Sequence, residues 1–147
     1  MTIQDRYGAA VHEAGHAVVA WALGLKTREM AVGINGDGAA GEAEIDEGTH
    51  LPLVDRIAIY SAGADAQRML DAPTNGIVAT LDMDEIRKLI DDRAEDEGKV
   101  LRYAGTLRSK ELLELHRGKV ERLAEALAER TELDQVAIEQ ILISNGR

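Results

Sequence analysis

Between Ala9 and Leu25 the chain reads AAVHEAGHAVVAWALGL, and His12, Glu13 and His16 are its only ionisable residues. Small and aliphatic residues occupy nearly every helical side from Ala9 to Ala22, so a helix here has no face suited to water and belongs at the centre of the fold. It is expected to run from about Thr2, as N-cap, to Leu23, with Gly24 as its stop. Three polar groups buried in such a segment carry a heavy penalty unless something satisfies them. Their pattern, His12-Glu13-Ala14-Gly15-His16, has the form H-E-x-x-H. On a helix, residues four apart point the same way one turn apart, so two imidazoles can grip a single ion. Glu13 then sits close enough to act on a water without being a ligand itself. Zinc suits such a pair, because it accepts neutral imidazole together with carboxylate oxygen in tetrahedral geometry.

The chain has no cysteine among its 147 residues, so any metal must be held by histidine, aspartate or glutamate. A catalytic zinc takes three protein ligands and leaves one position open. The third ligand lies outside the motif, since the extended H-E-x-x-H-x-x-G-x-x-H form would need glycine at Val19 and histidine at Ala22. Several residues are candidates, each with an ordinary alternative. Glu42 and Asp46 have the spacing of a helical Glu/Asp pair but fall in an expected hairpin. His50 falls in a loop and reads equally as an exposed histidine. His116 lies on an apolar seam, as a core histidine would. Asp82 begins an expected helix and serves there as a simple N-cap, a job Asp84 can share.

The remaining pattern sets the scaffold. The segment Arg28–Ile45 reads as two short strands around a loop, NGDGAAG. Helical spacing runs from Leu51 to Leu70, with a small-residue centre, YSAGADA, that lets another helix come close, and Ala72-Pro73 ends it. After the loop PTNGIVAT a helix is expected from Leu81 or Asp82 to about Glu97, stopped by Gly98. A long amphipathic helix is expected from Ser109 to about Arg130, with Leu113, Val120, Leu123 and Leu127 on its seam, and a short one from Gln135 to Ile143 behind Asp134 as cap. Aromatic residues are 3% of the chain and phenylalanine is absent, so the core must be aliphatic, which suits close-packed helices. The sum is one domain, residues 1–147: a mainly α helical bundle with one small β hairpin or sheet. A net charge of −10 argues against nucleic acid or an anionic membrane as partner. No apolar run approaches the roughly 18 residues of a membrane span and no signal peptide is visible, so the expected location is cytoplasmic.

Taken together, these segments resemble the peptidase domain of the FtsH-type ATP-dependent zinc metalloproteases. AAVHEAGHAVVAWAL is similar to that family's active-site helix, TREMAVGINGDGAAGEAEI to its strand–loop–strand segment, and LVDRIAIYSAGADAQRML to its second helix. TLDMDEIRKLI resembles the segment whose aspartate supplies the third zinc ligand. Asp82 has apolar Met83, Ile86, Leu89 and Ile90 at the family's offsets, and Asp84 does not. The tail HRGKVERLAEALAERTELDQVAIEQIL is similar to the closing helices. The resemblance implies Zn2+ held by His12, His16 and Asp82, with Glu13 as catalytic base, in an endopeptidase acting on polypeptide substrates. It departs from the family in lacking the ATPase module and membrane segments, and in carrying Gln67 where the family has glutamate. The expected partners are therefore a polypeptide substrate, a separate AAA+ ATPase and further copies of the chain. The alternative is a non-catalytic helical interaction module derived from such a peptidase.

Overall fold

The computed structural model describes residues 3–35, 38–74 and 76–144. Its elements are α1 (Ile3–Ala22), β1 (Thr27–Asn35), β2 (Gly38–Ile45), α2 (Leu53–Met69), α3 (Gly76–Ile90), α4 (Glu95–Leu115), α5 (Arg117–Arg130), β3 (Glu132–Asp134) and α6 (Gln135–Ile143). The architecture is mainly helical with a small antiparallel sheet in the order β2-β1-β3.

As its composition demands, α1 is the axle. Every residue from Ala10 to Ala20 is buried, and the helix packs against α2, α5 and the sheet. The aliphatic core joins Val11, Val18 and Val19 of α1 to Leu112 and Leu113 of α4 and to Val120, Leu123 and Leu127 of α5, so the expected apolar seam faces inward. The small-residue centre of α2 works as anticipated: a Cβ on Gly15 would lie only 2.5 Å from the Ala62 carbonyl oxygen, so α1 and α2 cross almost backbone to backbone. Among the described residues no helix is long and apolar enough to cross a membrane.

Several boundaries differ from the sequence reading, each for a physical reason. The Thr2 cap lies outside the described residues, while Gly24 does end the first helix, in a left-handed conformation with φ +89. The glycine-rich stretch NGDGAAG is mostly strand: Asn35 already pairs with Gly38, and Gly41 with Val32. Because α3 begins at Gly76, Asp82 is in mid-helix and does not cap it. Gly98 lies inside α4, whose start is marked by the acidic first turn Glu95, Asp96 and Glu97, residues that favour a helix N-terminus. The long helix expected from Ser109 is two helices, α4 and α5, broken at His116. The third strand, β3, was not anticipated. It is three residues long, and its buried Leu133 is placed opposite Met30. Asp134 does cap α6, accepting the Ala137 N–H at 2.9 Å.

Candidate metal centre

α1 presents His12, Glu13 and His16 to one cleft, and all three are buried. Two antiparallel helices lock the imidazoles. His12 Nδ1–H donates to Gln67 Oε1 at 2.8 Å, and His16 Nδ1–H donates to the Ile59 carbonyl at 2.6 Å. The direction of the first bond follows from Gln67 itself. Its amide nitrogen donates to the carbonyls of Gly8 (3.2 Å) and Pro73 (2.8 Å), so its oxygen must be the atom facing His12. Each ring therefore carries its Nδ1 proton outward and turns Nε2 inward. Such fixing of the tautomer is what a partner behind a metal-ligating histidine does.

The inward atoms converge with a third group. Asp82 Oδ2, from α3, lies 2.8 Å from His12 Nε2 and 3.1 Å from His16 Nε2, and the two Nε2 atoms are 3.1 Å apart. In their metal-ligating forms these are three lone-pair donors aimed at one point, an arrangement that needs a cation between them. Without metal, a proton on His16 fills that place. Burial disfavours its charge, but the hydrogen bond to Asp82 and the charges of Glu13 and Asp82 outweigh burial and push its pKa up to about 9. Burial likewise opposes ionisation of Asp82, yet its contacts with His12 and His16 draw its pKa down to about 2.

Zinc fits this donor set. Its bonds to nitrogen and oxygen are about 2.0–2.2 Å long, which sets tetrahedral ligand atoms about 3.3 Å apart. A triangle of 2.8–3.1 Å needs to open by only a few tenths of an ångström. The floor of the site is a glycine: a Cβ on Gly63 would lie 2.5 Å from both Nε2 atoms.

Beside the triangle, Glu13 makes no hydrogen bond or ion pair among the described residues, although its residue exposure is only 6%. Desolvation raises its pKa, opposed by the two histidines and reinforced by Asp82 and Glu42. The cleft measures about 590 Å³ and is walled by β2 on one side and by Arg56, Ile59 and Tyr60 of α2 on another. β2 is an edge strand of the sheet. Val32 N–H donates to the Thr131 carbonyl on the β3 side, so strand alternation turns Ala31 and Gly33 toward β2. Their partners Glu42 and Ala40 face back to β1, which leaves the peptide groups of Gly41 and Ala43 pointing outward at the free edge.

Of the sequence candidates, His12, His16 and Asp82 come together, and among the described residues they are the group able to hold a metal. The others lie elsewhere. Asp46 pairs with Arg28 at 2.7 Å, and Glu42 is exposed on the cleft rim. His50 is exposed in a turn, and Asp84 pairs with Arg87 on the surface of α3. His116 packs edge-on against the Trp21 ring at the break between α4 and α5. Two supports were not anticipated: the Ile59 carbonyl, which as backbone leaves no residue-type signal, and Gly63, which read only as a helix-packing residue. Gln67, which stands where the resembled family has glutamate, holds His12. No protein-family model matches the chain, and no curated protein aligns with it.

Proposed function

We propose that the chain is a zinc metalloendopeptidase, similar to the peptidase domain of FtsH-type proteases, with His12, His16 and Asp82 as ligands. The observation that carries this reading is the convergence of the two imidazoles with a carboxylate 66 and 70 residues away, beside a buried, unpaired Glu13 in an open cleft. When bound there, zinc supplies a Lewis acid that lowers the pKa of water toward about 7 and polarises a carbonyl. The chain's own residues do the rest. The outward peptide groups of Gly41 and Ala43 align an extended substrate by strand addition. Glu13 accepts the proton of the attacking water on a carboxylate oxygen and returns it to the leaving amine. Its raised pKa suits it to both halves of that transfer. Gln67 and Ile59 hold the imidazoles in place throughout.

The substrates in this reading are peptides, unfolded chains, or chains delivered by an ATPase. The test is zinc content after gentle purification, followed by hydrolysis of unfolded casein with and without a chelator. One zinc per chain with chelator-sensitive cleavage is the expected result. Zinc without cleavage, with or without an added ATPase, replaces the enzyme by a binding module, and absence of zinc binding removes both.

A further inference from the structure

One face of α4 is committed to the core. Gly98, Gly105, Ser109, Leu112 and Leu113 are buried, and the helix packs along α2. The opposite face carries a second apolar row. Val100, Tyr103 and Leu107 follow one another at i, i+3 and i+7, the spacing of a seam between two helices. They are 68%, 72% and 46% exposed. Single exposed apolar residues are ordinary, but three in line on one helix leave a strip that the described residues do not cover. Tyr103 is its centre. The chain spends aromatic residues sparingly, with one tryptophan and three tyrosines, and tyrosine is enriched at the energetic centres of protein interfaces. The charges around the row are arranged about the same residue. Asp96 lies seven residues before Tyr103 and Lys110 seven after. Two helical turns in each direction keep both on the face of the row, about 10.5 Å along the axis from its centre. Among the described residues neither Asp96 nor Lys110 has an ion-pair partner.

We propose that this face joins two copies of the chain, α4 against α4, antiparallel across a two-fold axis at Tyr103. A two-fold interface must be complementary to itself, and this one is. Antiparallel packing sets Asp96 of each copy against Lys110 of the other, so both charges gain the partner they lack. It brings Val100 of one copy beside Leu107 of the other, on either side of the two tyrosines. The flanks agree, since Glu97 falls level with Arg108 of the second copy. Of the acidic residues beyond Lys110, Glu114 lies level with the turn before the second copy's α4, and Glu111 projects to the opposite side of the seam from Glu95 of that copy. A parallel pair would set Asp96 against Asp96 and Lys110 against Lys110. The face is smaller than the roughly 800 Å² per partner of a standard interface, and a net charge of −10 on each copy opposes approach at long range, so the dimer is weak and reversible. No residue lining the metal cleft belongs to α4, so both clefts stay open, and the inference does not depend on the peptidase reading.

Sedimentation velocity of the full chain tests this, with and without added zinc, in about 0.15 M salt to screen the net charge. The expected result is a monomer–dimer equilibrium with a dissociation constant of about 10–100 µM, the same with and without zinc. Tyr103→Glu places two like charges on the axis and should raise that constant by about 100-fold or more. Asp96→Lys alone and Lys110→Asp alone each turn both cross-pairs into like-charge contacts, and each should raise it by about tenfold. Mixed one to one, these two variants should form a heterodimer about as tight as the unmodified pair, because every cross-pair again joins opposite charges. Positions 96, 103 and 110 are all exposed, so the fold should persist, as circular dichroism checks. A chain that stays monomeric at every concentration overturns the proposal, whether the row is simply solvated or reserved for a different protein. So does a dimer that Tyr103→Glu leaves intact, which uses another surface. Single charge reversals as tight as the unmodified chain exclude the antiparallel arrangement.

Discussion

Replacing Gly63 by alanine probes the floor of the centre. The new Cβ would lie 2.5 Å from both imidazole Nε2 atoms, about 0.9 Å closer than the 3.4 Å at which ordinary contact begins. The rings cannot swing away freely, because their Nδ1 atoms are tied to Gln67 at 2.8 Å and to Ile59 at 2.6 Å. Relief comes only from separating α1 and α2 or from driving Nε2 off its aim. Metal sites tolerate ligand displacements of about 0.2 Å, so the zinc dissociation constant is expected to rise by about 100-fold or more. In the zinc-free protein, overpacking costs about 1–3 kcal/mol and the better helix propensity of alanine returns about 1 kcal/mol, so stability changes modestly. The contrast appears on adding zinc. At a concentration 100 times the wild-type constant, binding adds about 2.7 kcal/mol to the unmodified chain and about 0.4 kcal/mol to the variant. For a chain of this size that is a rise in Tm of about 5–11 °C against about 1–2 °C. Thermal unfolding with and without zinc measures it. Gly33→Ala is the control: a Cβ there meets nothing within 4 Å, and the full zinc increment should persist. A Gly63→Ala protein that keeps the wild-type increment refutes the placement of the metal over this glycine.

Three further outcomes follow from the same geometry. Glu13→Gln should retain zinc, because Glu13 is no ligand, while hydrolysis of an unfolded protein falls by about 100-fold or more; unchanged turnover would remove Glu13 from the chemistry. Gln67→Leu strands His12 Nδ1 and the Gly8 and Pro73 carbonyls, so stability should fall by about 1–3 kcal/mol and zinc affinity by about 10–100-fold, as read by denaturant unfolding and zinc titration. In the zinc-free chain the raised pKa of His16 gives stability that is complete below its ordinary 6.5 and is lost as pH rises through about 9, while the lowered pKa of Asp82 gives stability present above 3.8 and lost as pH falls through about 2. Zinc must displace the His16 proton, so its affinity should climb about tenfold per pH unit between 7 and 9, which calorimetry in buffers of different ionisation enthalpy reads as proton release.

Much of the centre could be read from residues alone because its first half is local. His12 and His16 sit one turn apart on a helix too apolar to carry them idly, so spacing and composition argue the same point. Asp82 was different. Locally it read as an N-cap, because Gly76, Val78 and Thr80 are weak helix formers, and only family resemblance singled it out. Packing of α3 against α2 extends the helix back to Gly76 and makes Asp82 an inward-facing side chain, an instance of tertiary contact overriding propensity. Gly98 misled in the same way: it lies within α4 and does not end a helix. β3 is too short for strand alternation to be visible, and its single inward residue, Leu133, looks like any loop leucine.

The account depends on one ion shared by α1 and α3. Crystals of the zinc-loaded chain, measured with anomalous scattering on both sides of the zinc absorption edge, report the metal's identity, position and ligands together. A single zinc peak within about 2.2 Å of His12 Nε2, His16 Nε2 and an Asp82 carboxylate oxygen is the expected result. A peak elsewhere, or one at the two imidazoles with the Asp82 carboxylate turned away, would contradict it.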